Sequence, residues 1–131
     1  MPASNNKTFF EKTFVLRAYL PVFIWALIIL ALSISPGIQL PETGISTDKV
    51  GHLAAYGLLN WLVLRALKRT GMLSSKAIWA AIILVSAYGV LLEFVQWAFF
   101  PHRFFELWDM IANITGAVLS YFAFNLFTTK T

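Results

Sequence analysis

Long apolar runs separated by short polar connectors dominate the chain. Four of them, over about 18–34, 50–67, 77–100 and 109–127, approach the ~20 residues a helix needs to cross roughly 30 Å of hydrocarbon. The runs are continuous rather than alternating, which predicts helices and argues against a barrel. The connectors carry helix-stopping chemistry: Ser35-Pro36-Gly37, Thr70-Gly71 and Pro101-His102-Arg103. The expected fold is an all-α integral membrane protein, a four-helix transmembrane bundle. Residues 1–17 form a cytoplasmic or interfacial N-terminus and 18–127 the membrane domain. The stretch before Thr8 is polar and expected to fray. Thr8-Phe9-Phe10-Glu11 has capping-box spacing, which predicts the start of a short interfacial helix. Pro21 lies one turn into the first run and predicts a kink. The rival reading of this segment is a signal peptide, with Lys7, Lys12 and Arg17 ahead of a run ending at Ala31-Leu32-Ser33. The run is long enough to span, and its cleavage would leave an odd number of helices.

Composition supports lipid as the solvent. Hydrophobic residues make up 59% of the 131 and charged residues 12%, more apolar surface than so small a soluble core buries. The net charge of +4 does not point to nucleic acid, because the basic residues lie between apolar runs rather than in a patch. Their placement predicts topology instead. With four spans, Lys7, Lys12, Arg17, Arg65, Lys68, Arg69, Lys76 and Lys130 share one side, and Lys49 and Arg103 the other. The positive-inside bias then places both termini in the cytoplasm and the connectors over 35–49 and 101–108 outside. Trp97, Phe99, Phe100, Phe104, Phe105 and Trp108 gather at the second outer connector, as an interfacial aromatic belt does. The chain has no cysteine, which excludes disulfides, thiolate catalysis and cysteine metal sites.

Polar residues inside the runs fall on single faces. Asp48, His52, Tyr56 and Asn60 follow steps of four in the second helix. Ser86, Gly89, Glu93 and Gln96 form a stripe in the third, and Asp109, Ala112, Asn113, Gly116 and Ser120 one in the fourth. Each stripe mixes polar groups with small residues that admit close helix approach, so the three are expected to face each other. Glu93 lies roughly 10 Å below Phe100 along its helix. A carboxylate at that depth requires a partner or protonation and is a functional candidate by default. Lys49, His52 and Arg103 are its nearest basic candidates, beside His102. Plainer roles stand next to the functional ones. Gln96, Asn113 and Tyr56 serve equally as interhelical glue, Asp48 as a helix cap, Arg103 as a head-group anchor and Asn60 as packing.

His52, Glu93 and Asp109 offer a nitrogen and two carboxylates, enough in kind for a metal, but on three helices without a short ligand motif. No metal and no cofactor are expected. The same three groups are chemically adequate for acid–base hydrolysis, yet no nucleophile elbow or phosphate-binding glycine loop accompanies them.

At these positions the chain resembles the VanZ-like family. The matching blocks are Asp48-Lys49-x-x-His52-x-x-x-Tyr56-x-x-Leu59, Glu93-x-x-Gln96, and Pro101-x-Arg103-x-Phe105-x-x-x-Asp109-x-x-x-Asn113-x-x-Gly116. His102 and Glu106 depart from the family pattern, where glycine and a small or polar residue are common. The resemblance implies a small multi-helix protein of the bacterial envelope, multi-pass in the inner (cytoplasmic) membrane. It also implies a link to glycopeptide resistance, since the namesake lowers sensitivity to teicoplanin; it implies no established catalysis. Together these readings predict a non-enzymatic protein that binds a lipid or cell-wall precursor head group in an outer-face pocket. Asp48, Lys49, His52, Tyr56, Glu93, Gln96, Arg103, Asp109 and Asn113 would line it. A membrane-embedded hydrolase or transferase using Glu93, Asp109 and His52 is the alternative, and a proton-coupled transporter a third reading, though no internal repeat supports one. An assembly factor whose stripes only lock helices together is the plainest.

Overall fold

A computed structural model describes residues 3–35, 47–101 and 105–128, with the backbone alone for residues 3–9 and Thr47. Among them lie four helices and no strand: α1 (Ala3–Ile34), α2 (Thr47–Arg69), α3 (Ser75–Phe99) and α4 (Leu107–Thr128). Each contains a segment long and apolar enough to cross a membrane, beginning at Phe10 in α1. The first helix therefore differs from expectation. Thr8 lies inside α1, so its capping-box spacing marks no helix start, and the polar residues from Ala3 onward are helical rather than frayed. Pro21 lies inside the same helix, where its missing donor removes one bond from a long ladder.

The helix ends follow from local chemistry. Ser74 caps α3, its hydroxyl accepting from the Ala77 amide at 3.2 Å. At the end of α2, Gly71 takes φ +71°. The Met72 amide donates to Leu67 O at 2.9 Å and the Gly71 amide to Lys68 O at 3.2 Å, the paired bonds of a Schellman turn. Tyr56 stands near Tyr88 and Leu64 clusters with Ala81, so α2 and α3 run antiparallel.

Cross-helix pairs fix the remaining directions. Ala26 meets Tyr88 and Ser33 meets Gln96, so α1 and α3 run together. Lys49 meets Asp109 and Asn60 meets Ser120, so α2 and α4 run together. Both helical termini thus share one end of the bundle with Lys12, Arg65, Lys68, Arg69 and Lys76. Asp48, Lys49, Glu106 and Asp109 mark the other.

The α2–α4 pair is the most closely packed. A Cβ placed on Gly116 would lie 2.2 Å from Leu53 O, and one on Gly57 3.2 Å from Gly116 O. The Ala112-Gly116-Ser120 stripe therefore seats α2 within the chain. Around this contact pack Tyr56, Leu59, Ile82, Val85, Leu92 and Ala117, with Leu64, Ala81 and Phe124 below them. Much of the α3 and α4 stripes is buried, Gly89, Glu93, Gln96, Asp109, Asn113, Gly116 and Ser120 among it, while Asp48 at the head of the α2 stripe is exposed. Large apolar side chains such as Phe23, Leu27, Leu84, Trp79 and Phe122 point outward, as lipid permits.

Candidate functional site

Two parallel helix starts, α2 and α4, bring a cluster of charges together at the bundle end. Lys49 is its hub. Its Nζ hydrogen-bonds Asp109 Oδ1 and, at 2.5 Å, Glu106 Oε2, and stands 3.5 Å from Asp48 Oδ2. Glu106 precedes the first turn of α4, where its carbonyl accepts from the Asp109 amide at 3.1 Å. Asp109 thus sits in that first turn, where a carboxylate is favoured by the helix dipole. Its side chain is 7% exposed, against 62% for Asp48 and 51% for Glu106. The two outer carboxylates are open to a ligand and the inner one anchors the lysine.

His52 stands one turn deeper. Its Nδ1 donates to Asn113 Oδ1 at 3.0 Å, because an amide oxygen can only accept. That leaves Nε2 facing Asp109 Oδ2 at 3.6 Å and Asp48 Oδ1 at 3.8 Å. Asn113 is 1% exposed, and among the described residues its Nδ2 has no hydrogen-bond partner; a Cβ on Gly89 would lie 2.8 Å from it. Glycine at position 89 is what admits this amide between α3 and α2.

The remaining predicted residues divide. Glu93 is buried. Among the described residues it forms no hydrogen bond or ion pair with Lys49, which is taken by Asp109, Glu106 and Asp48. Of the basic candidates for Glu93, Lys49 is thus engaged by carboxylates of α2 and α4. Gln96 points away from the cluster, its Nε2 donating to Ser33 O of α1 at 2.9 Å. Tyr56 is 3% exposed, its ring parallel to that of His52 and near Tyr88. Asn60 is fully buried and donates to Ala117 O and Ser120 Oγ, at 2.9 and 2.8 Å, the packing role expected of it. Arg103 lies outside the described residues, as do His102 and Phe104. Sequence reasoning missed Glu106 as a site residue, although its spacing of three before Asp109 places both on one face of the same helix start.

Asp48, His52 and Asp109 can each bring one ligand atom within 4.8 Å of the others. The Lys49 ammonium already contacts both carboxylates, so a cation bound there would have to displace it.

This arrangement lies inside a recognised domain: the family model described as VanZ/LLP1 matches residues 4–128. The chain belongs to the VanZ/LLP1 family. No curated protein and no solved structure matches it. The VanZ/LLP1 match takes in all four helices, and therefore the charged cluster, the small-residue α2–α4 contact and α1 together.

Proposed function

We propose that this VanZ/LLP1 member is a non-enzymatic protein of the bacterial cell envelope that binds a lipid or cell-wall precursor head group at the charged cluster. Through that ligand it bears on glycopeptide action, teicoplanin first. The observation that carries the reading is the meeting of Asp48, Lys49, His52, Glu106 and Asp109 at one end of two parallel membrane-length helices. The exposed carboxylates of Asp48 and Glu106 suit the hydroxyl, amide and ammonium donors of a head group. Lys49, already balanced by three carboxylates, is a donor to the ligand rather than a free anion trap. Arg103, in the connector before α4, is the residue we assign to phosphate or carboxylate, for its bidentate geometry. The cations of the opposite end support a cytoplasmic location for both termini; on that reading the cluster faces outward from the cytoplasmic membrane.

The test is teicoplanin susceptibility in a sensitive host, comparing the native chain with Lys49→Met and Asp109→Asn at matched membrane levels. The native chain is expected to protect and both variants to lose protection. Photo-crosslinking with a lipid-linked cell-wall precursor is expected to label the α2 and α4 starts. Labelling no stronger than that of bulk phospholipid, with no protection by the native chain, would remove this function. The hydrolase reading rests on the His52 Nε2–Asp109 Oδ2 approach. It predicts turnover of a lipid-linked pyrophosphate by the purified protein, with loss of turnover in His52→Gln.

A further inference from the structure

A second concentration of chemistry lies at the opposite end of the bundle. Between α2 and α4 a cleft of about 540 Å³ is rimmed by Arg65, Lys68 and Arg69 and floored by Trp61, Phe124 and Phe127. The three cations are exposed, and among the described residues none has a carboxylate partner; the ion pairs all involve Lys49 or His52. Trp61 packs edge-on against Phe124 and Phe127, with ring centroids 5.4 and 5.8 Å away.

Trp61 also lines a second hollow, of about 300 Å³, which continues along the same α2–α4 seam. Its walls are apolar except for Ser120: Leu53, Ala54, Gly57 and Leu58 on α2, Gly116, Leu119 and Ala123 on α4. Positions 54, 57, 58, 61, 65 and 68 recur at steps of three and four, so one face of α2 lines both hollows. From Gly57 to Lys68 the helix rises roughly 16 Å, close to half of the ~30 Å hydrocarbon core. The seam therefore runs from a cationic end to the bundle middle over the depth of one leaflet.

We propose that this seam binds one anionic phospholipid of the leaflet bordering the basic end. Its phosphate lies among Arg65, Lys68 and Arg69, and one acyl chain follows the seam to Gly57 and Gly116. Topological sorting of charge accounts for cations on this side of the membrane, and Lys68 and Arg69 also complement the dipole at the end of α2. Neither effect calls for Arg65 one turn further in, for an aromatic floor, or for an apolar groove that meets the cleft at Trp61. A basic hollow between membrane helices is the arrangement that selects acidic head groups. A second copy of the chain is not needed to explain the glycines, because Gly116 is already seated against Leu53 O.

Native mass spectrometry of the full chain, released from detergent holding equal phosphatidylglycerol and phosphatidylcholine of matched chains, tests this directly. The native chain is expected to retain one phosphatidylglycerol, preferred on the order of tenfold. Replacing Arg65, Lys68 and Arg69 together by Gln should bring the two lipids to parity. Arg65→Gln alone should lower the preference several-fold, covering a triple variant that fails to fold. Ala123→Leu, which narrows the groove and spares the cations, should reduce retention of both lipids. Lys76→Gln, an exposed cation of the same end that does not line the cleft, should leave the preference unchanged, which separates the cleft from the general charge of this end. Equal retention by the native chain, or a preference that survives the triple variant, overturns the proposal. So does displacement of the lipid by soluble glycerol phosphate, which would leave the groove without a role. A lipid-free dimer that Ala123→Leu dissociates would reassign the seam to contact between copies.

Discussion

Gly116 and Gly51 are both helical glycines, yet their surroundings differ completely. A methyl group on Gly116 would strike the Leu53 carbonyl, a backbone atom that cannot rotate aside, whereas nothing lies within 4 Å of the corresponding position on Gly51. Gly116→Ala should therefore destabilise by about 3 kcal/mol, the upper part of the usual overpacking range. Gly51→Ala should stabilise by roughly 0.5–1 kcal/mol, through helix propensity alone. Thermal unfolding in a mild detergent reads both; equal effects of the two substitutions would mean that α2 and α4 do not approach as described. Lys49 makes the same contrast in charge. Its bond to half-exposed Glu106 contributes at most ~1 kcal/mol. Its bond to nearly enclosed Asp109 is the one whose loss leaves a carboxylate stranded.

Among the helices, α1 is the outlier. Most of its length faces outward, and side chain to carbonyl bonds tie it to its neighbours: Trp25 Nε1 to Ala55 O, Tyr88 Oη to Ala26 O, and Gln96 Nε2 to Ser33 O. Interhelical bonds of this kind contribute about 0.6–2 kcal/mol each in a membrane. Removing two of them with Tyr88→Phe and Gln96→Leu should loosen α1 while the α2–α4 contact persists. The chain has no cysteine, so Ile29→Cys, placed at a buried position of α1, reports the change. Maleimide labelling should quicken on the order of tenfold in the double variant, and unchanged labelling would show that packing alone holds α1.

The element scale also shows where the sequence was legible. Steps of three and four placed Asp109, Asn113, Gly116 and Ser120 on one buried face, because helical periodicity follows from backbone geometry. The same steps grouped Gln96 with Glu93, but not with the right partner. A stripe defines a direction, and at that height the neighbour is the Ser33 carbonyl of α1. Pairing between helices also depends on relative height, which residue spacing within one helix does not encode. For that reason Lys49 could be placed near Glu93 but not assigned to Asp109 and Glu106 instead.

For the whole molecule, the charges separate to opposite ends along alternating helices. If both termini are cytoplasmic, single cysteines should report it in intact cells. Glu106→Cys should react with a membrane-impermeant maleimide, and Met72→Cys, in the exposed turn after α2, only after permeabilisation. The reverse pattern would turn the molecule over and move the charged cluster to the cytoplasm. The two sites proposed here would then exchange leaflets but keep their separation.

The pairing of α2 with α4 also has a consequence for synthesis. These are the two least apolar of the four spans, and each supplies what the other lacks. Among the described residues the acceptors of the Asn60 amide lie on α4, and Lys49, beside its neighbour Asp48, pairs with Asp109 and Glu106 at the α4 start. The ribosome completes α2 well before it reaches α4, an interval on the order of seconds at ordinary elongation rates. During that interval the second span is in or near the bilayer without its polar partners. Its shelter must come from the insertion machinery, and a nascent chain halted after α3 presents quality-control proteases with an unsatisfied asparagine at mid-membrane.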